Sequence, residues 1–254
     1  EGGTGSIAGT VAGDGVRIAG TSATVDFTAL DITNTSGDGI ELNGNTGAFT
    51  VTGTTGITGP GGSGVNITGT NSGPISFAGL DIALGNPGAG VSITGTLTGT
   101  IGFTDLDIVL GTGNTTAFSV NGAVLNADVT ANDFDVTSPG FAGTIGIDLR
   151  GVTGTGTVQL GDTVTGDAEG ASIGGVATGV ILDDAANIAF TFGDGEGVTD
   201  TNSSISATLA VDFTDETGAT GTYNFQDVSF PIAGSTANLT GPTFFVFDEA
   251  GTSG

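Results

Sequence analysis

The stretch GVNITGTNSGPISFAGLDIALGNPGA (residues 64–89) is followed without a gap by GVSITGTLTGTIGFTDLDIVLGTGNT (residues 90–115). The two 26-residue segments carry apolar residues at the same offsets. Val65, Ile67, Ile75, Phe77, Leu80, Ile82 and Leu84 are matched by Val91, Ile93, Ile101, Phe103, Leu106, Ile108 and Leu110. A fixed period in the twenties marks stacked supersecondary units, each too small to bury its apolar face alone.

The pattern continues on both sides. Residues 15–38 place Val16, Ile18, Val25, Phe27, Leu30 and Ile32 at equivalent offsets, and 39–63 place Ile40, Leu42, Phe49 and Val51, with a slip near Gly56 and Ile57. Residues 117–142 keep Phe118, Val120, Val129, Phe134 and Val136, and looser units run over 146–170 and 171–200. Within a unit, apolar and polar residues alternate over three short runs, such as VNI, ISF and LDIAL, separated by Gly-rich breaks. Alternation of period two gives strands with one face inward, and the glycines turn the chain between them. The expected fold is an all-β, right-handed parallel β-helix with three strands per 24–26-residue rung.

Composition agrees. Fifty glycines in 254 residues, abundant Thr and few long helix-favouring side chains oppose helices, while 37 % hydrophobic residues at regular spacing oppose disorder. No apolar run is long enough for a helical membrane span. The absence of an initial Met is expected of a processed chain or a fragment.

Rung starts GVNITG, GVSITG and GIELNG, together with the LDI triplets at Leu30–Ile32, Leu80–Ile82 and Leu106–Ile108, resemble the repeats of secreted bacterial right-handed β-helix proteins. Large adhesins and autotransporter passenger regions belong to that group. The resemblance covers residues 15–170 well and 171–200 weakly, and it implies a fold rather than an activity.

Three regions follow: an N-terminal cap over 1–14, the parallel β-helix over 15–200, and a C-terminal β module or cap over 201–254. In the last, ISATLAVDF (205–213) and TYNFQDVSFPI (222–232) flank TDETG (214–218) and are expected to form an antiparallel hairpin, with TFFVF (243–247) as an extra strand.

Charge narrows the function. Twenty-seven acids face only Arg17 and Arg150, for a net charge of −25. Nucleic acid is a poor partner, because its phosphates need cations, and anionic membrane surfaces are disfavoured for the same reason; neither nucleic-acid binding nor membrane insertion is expected. A saline or calcium-containing exterior would screen the self-repulsion, so an extracellular or cell-surface location is expected. Each Arg is expected to pair with an acid of a neighbouring rung.

Aligning the rungs stacks Asp31, Asp81, Asp107 and Asp135 in one outward column, with Thr55 interrupting it, and Asp105 with Asp133 in a second column. Asp105, Asp107, Asp133 and Asp135 then form a square, about 5 Å apart between rungs and about 7 Å along the strand. Three readings follow: a solvated acidic face, a Ca²⁺ site built on those four carboxylates, or an acid–base pair for glycoside hydrolysis. A second acidic stretch, Asp194, Glu196 and Asp200 followed by Asp212, Asp215 and Glu216, reads as a polar turn. His, Cys and Lys are all absent, which excludes a Ser-His-Asp triad and zinc sites built on His or Cys. No catalytic residue is assigned. The sequence therefore points to a non-enzymatic structural protein: an adhesin rod, or a self-assembling subunit of a filament, sheath or surface layer. Its partners would be copies of itself in head-to-tail or lattice contact. A carbohydrate-binding or polysaccharide-cleaving β-helix is the alternative.

Overall fold

A computed structural model describes residues 3–7, 12–85, 88–111, 113, 115–140, 142–162, 170–184, 188–193, 203–214, 221–226, 228–229, 236–239 and 245–248. They form an all-β parallel solenoid of about seven turns, consistent with a right-handed parallel β-helix. Every strand pairing among them is parallel.

One rung defines the rest. Val65–Thr68 forms face A, Thr70–Asn71 a short corner strand, and Ile75–Ala83 a nine-residue strand that makes faces B and C. The second and third apolar runs are therefore one bent strand. Ile75 and Phe77 are buried, Ala78 and Gly79 are both half-exposed, and Leu80 and Ile82 are buried again. Three residues separate the inward Phe77 and Leu80, so the alternation resets there and the strand turns from face B to face C. The corner strand recurs as Thr96–Leu97, Val124–Leu125 and Thr153–Gly154, a small ladder of its own.

Stacking turns each inward position into a column. On face A, Val16, Ile40, Val65, Val91, Phe118, Ile147, Val180 and Val211 follow one another in register. On face B the rings of Phe49, Phe77 and Phe103 lie 5.5 Å apart in succession, the last pair stacked. Beside the corner, Asn45 and Asn71 are buried polar exceptions, and they satisfy one another's ladder. The Asn71 side-chain oxygen accepts from the Asn45 backbone N–H at 2.9 Å, and the Asn45 oxygen accepts from Thr21 at 3.1 Å. Leu97 and Leu125 continue this column, followed by Gly154.

Three features depart from the sequence reading. First, the slip near Ile57 is a β-bulge: four positions separate Val51 from Thr55, against three between Phe27 and Leu30. Thr55 therefore enters the buried leucine column between Leu30 and Leu80, and Gly56 takes the outward position between Asp31 and Asp81. Second, the period expands from 24 residues (Val16 to Ile40) to 33 (Ile147 to Val180). In the later rungs faces C and A merge into single strands, Ala171–Asp183 and Ser203–Thr214. Third, the C-terminal strands are not an antiparallel hairpin. Ser203–Thr214 pairs in parallel with Ala171–Asp183, and Thr222–Gln226 with Ala189–Gly193. The two strands occupy adjacent faces of one rung instead of neighbouring in a ladder. Period-two alternation reports which face is inward and carries no information on strand direction, which is why the sequence could not separate the two arrangements.

Glycines sit where rungs approach most closely. A Cβ on Gly73 would lie 1.9 Å from the Gly47 carbonyl oxygen, and one on Gly47 would lie 2.0 Å from that of Ala23. Gly73→Ala is expected to lower stability by about 1–3 kcal/mol, the usual cost of overpacking, measured by thermal or urea unfolding. Thr55 gives the opposite expectation. It is fully buried, and its hydroxyl has no hydrogen-bond partner. Thr55→Val, of the same shape, should raise stability by about 1 kcal/mol or more, because a buried unsatisfied polar group costs that much.

Candidate functional site

The outward side of face C carries the charge. Its central column runs Ser6, Asp31, Gly56, Asp81, Asp107, Asp135, Ser172, Ser204 and Ser229. Acids occupy the middle rungs and serines both ends. Asp105 and Asp133 pair in register beside it, at the bend between faces B and C. The backbone register thus brings Asp105 beside Asp133 and Asp107 beside Asp135, as the repeat alignment expected. Among the described residues, however, no group of three or more acidic side chains converges as a metal site. The parallel ladder sets successive acidic positions one rung apart along the stack.

The electrostatics follow from this spacing. Burial pushes the Asp105 carboxyl above its ordinary value, and the negative charges of Asp81 and Asp135 add to it. Asp107 is raised for the same reasons, by burial first and then by Asp105, Asp135 and Asp81. Asp135, at the end of the acidic run, accepts a short hydrogen bond from the Ser172 hydroxyl on the next rung.

Gly56 opens this surface. A Cβ there would meet nothing within 4 Å, and the missing side chain leaves a shallow groove of about 450 Å³. Gly56, Thr58, Asp81, Ala83, Asp107 and Val109 line it. Val109 is 49 % exposed, the one large apolar side chain on the surface among the described residues. The groove was not foreseen because the repeat alignment set Thr55, not Gly56, in the acidic column.

The remaining charged groups are built into the scaffold. Arg17 contacts Glu41, its register partner on the next rung, at 2.5 Å and Asp14 at 3.9 Å, so its expected cross-rung pairing is present. Asp38 spans two rungs, accepting from the Ser63 backbone N–H at 2.7 Å and from the Asn66 amide at 2.8 Å. Arg150 differs. Its close contact is Asp148 on its own strand, 2.9 Å away but without hydrogen-bond alignment, while Asp183 lies beside Arg150 in register on the next rung. Burial raises Asp148, Arg150 opposes that shift, and Asp183 adds to it. Of the second acidic stretch only Asp212 lies in a described strand; Asp194, Glu196, Asp200, Asp215 and Glu216 lie outside the described residues.

No protein-family model, curated protein or solved structure matches this chain.

The raised carboxyls of Asp105 and Asp107 fix a sign. A carboxyl with a folded-state pKa above its unfolded value binds its proton more tightly when folded. Its contribution is therefore unfavourable above the folded pKa and is relieved as the pH falls through it. Asp107→Asn should stabilise the protein at neutral pH by up to about 1 kcal/mol, the repulsion of two carboxylates near 5 Å in water. The gain should shrink in molar salt and vanish near pH 3, as read from unfolding curves across pH.

Proposed function

We propose that this chain is a non-catalytic structural protein of the cell exterior: a stiff rod serving as an adhesin stalk or as a subunit of a filament, sheath or surface layer. The observation that carries the reading is the parallel stacking over about seven turns, with inward columns buried through the middle rungs. Phe77, Phe103, Phe118, Phe134 and Phe190 are each at most 1 % exposed. Such a body gains rigidity from backbone ladders and needs neither disulfides nor metal to hold it. Its acidic outward columns suit a saline exterior, and calcium bridging Asp105 with Asp133 or Asp107 with Asp135 would stiffen the same face.

A second reading, carbohydrate binding or cleavage, is favoured by the groove over Gly56. There the apolar strip of Ala83 and Val109 runs beside Asp81 and Asp107, a pairing of apolar surface and hydrogen-bond acceptors that suits a sugar ring.

Negative-stain electron microscopy of the purified chain, with calcium and then with chelator, separates these. Filaments or sheets are expected for the structural role. Turnover in a screen of neutral and acidic polysaccharides, lost on combining Asp107→Asn with Asp133→Asn, would overturn it in favour of an enzyme.

A further inference from the structure

The groove over Gly56 has two unlike edges, and register sets both. Along one edge run Gly56, Asp81 and Asp107, facing outward on three successive rungs. Two residues further along each strand, about 7 Å away, run Thr58, Ala83 and Val109. The groove therefore follows the rod axis for about 10 Å, at about 4.8 Å per rung, acidic on one side and apolar on the other. Asp105 adds to the acidic side. Its Oδ2 atom lies 4.0 Å from where a Cβ on Gly79 would stand, so that carboxylate reaches over the preceding rung. Burial and then the charge of Asp81 raise it.

The chain brings no cationic side chain to this surface. It has no Lys or His, and Arg17 and Arg150 contact acids on face A. Negative charge is thus gathered beside apolar surface that stays open, with Val109 49 % exposed. Like charge disfavours two occupants: a second copy of this chain, at −25, and a glycan of uronic acids. A neutral sugar would cover Ala83 and Val109 but leave the charge of Asp81 and Asp107 unbalanced. A sugar ring that carries a protonated amine uses both edges. Its C–H face lies on the apolar strip, and its ammonium and hydroxyl groups donate to the carboxylates. About two linked rings span the three rungs, because one ring is roughly as long as the 4.8 Å rung spacing.

We propose that the groove binds a cationic glycan: a chain of amino sugars with free amines, its rings seated on Ala83 and Val109 and its ammonium groups paired with Asp81 and Asp107. This rests on the carbohydrate reading above and narrows it to one class of sugar. It requires no catalysis, so the flank of a structural rod is a suitable place for it. Binding would also relieve the repulsion between Asp81, Asp105 and Asp107, which the rung spacing holds close.

The test is isothermal titration calorimetry on the intact chain. The probes are a glucosamine oligomer with free amines, its fully N-acetylated counterpart, a galacturonic acid oligomer and an oligolysine of matched charge. Only the free-amine sugar is expected to bind, and more weakly in molar salt. Asp81→Asn and Asp107→Asn should each weaken it about tenfold, the loss of one hydrogen bond to a charged group. Asp107→Asn is expected to be the more stable protein, so weaker binding there is not unfolding. Gly56→Leu keeps every charge and fills the groove, at a position where a Cβ meets nothing within 4 Å, and should remove binding. Asp26→Asn makes the same charge change on the outward side of face B and should leave binding unchanged. Equal weakening by Asp26→Asn, or binding that survives Gly56→Leu, would reveal diffuse attraction to an acidic protein and overturn the groove. Binding of the uronate oligomer would overturn the charge argument. The N-acetylated oligomer binding equally well would overturn the need for an amine and leave the carbohydrate reading standing. Oligolysine bound with the same dependence on Gly56 and Asp107 would overturn the sugar in favour of a basic peptide. No binding of any glycan would sink both this proposal and the carbohydrate reading, and filaments or sheets in the microscope would then leave the structural role intact.

Discussion

Parallel, in-register stacking is the constraint on which the rest of this protein depends. Each strand must lie about 4.8 Å from its counterpart on the preceding rung, so a residue is never placed alone. It is placed in a column, and its neighbours above and below are its register equivalents. Inward columns then select for shape that repeats, such as the Ile, Leu and Phe series of faces A, B and C. Corner columns select for the absence of a side chain, because carbonyl oxygens of adjacent rungs approach within the space a Cβ would need. A local irregularity has to be absorbed locally. The bulge before Thr55 does this, restoring Ile57 to its column at the expense of leaving a threonine among leucines.

The same constraint shapes the electrostatics. A like charge repeated at one outward offset becomes a line of like charges, and Asp81, Asp107 and Asp135 follow one another on successive rungs. Burial raises the carboxyls of Asp105 and Asp107, and the like charges of this line raise them further. The line is interrupted by Gly56 on one side and passes to serine at Ser172 on the other. Ser6 and Ser229, at the ends of the described column, are neutral. The two arginines do not break this line; each is committed to acids on face A.

A solenoid differs from a closed domain in that its core columns run to its ends. Rung-to-rung contacts repeat without a natural stopping point, and what lies above the final layer is decided by the same apolar columns that built the interior.

The sequence by itself determined that this is a β-solenoid, which side chains line its interior, and that its surface is acidic. All three depend on repeat offsets and alternation, which are properties of the chain read in order. The pairing of Asp105 with Asp133 and of Asp107 with Asp135 was legible for the same reason, since those rungs align without insertions. What only the tertiary structure decided were features that depend on how one rung meets another. The slip near Gly56 and Ile57 was legible, but that it is a bulge which moves Thr55 inward and opens the groove at Gly56 is a register event that only the stacked rungs decide. The parallel direction of Ser203–Thr214 and Thr222–Gln226 is set by the sheet edge that receives them, because alternation is the same for either direction. How closely the acidic side chains gather is likewise spatial: sequence spacing places carboxylates on one face, and among the described residues no three of them form a metal-ion group.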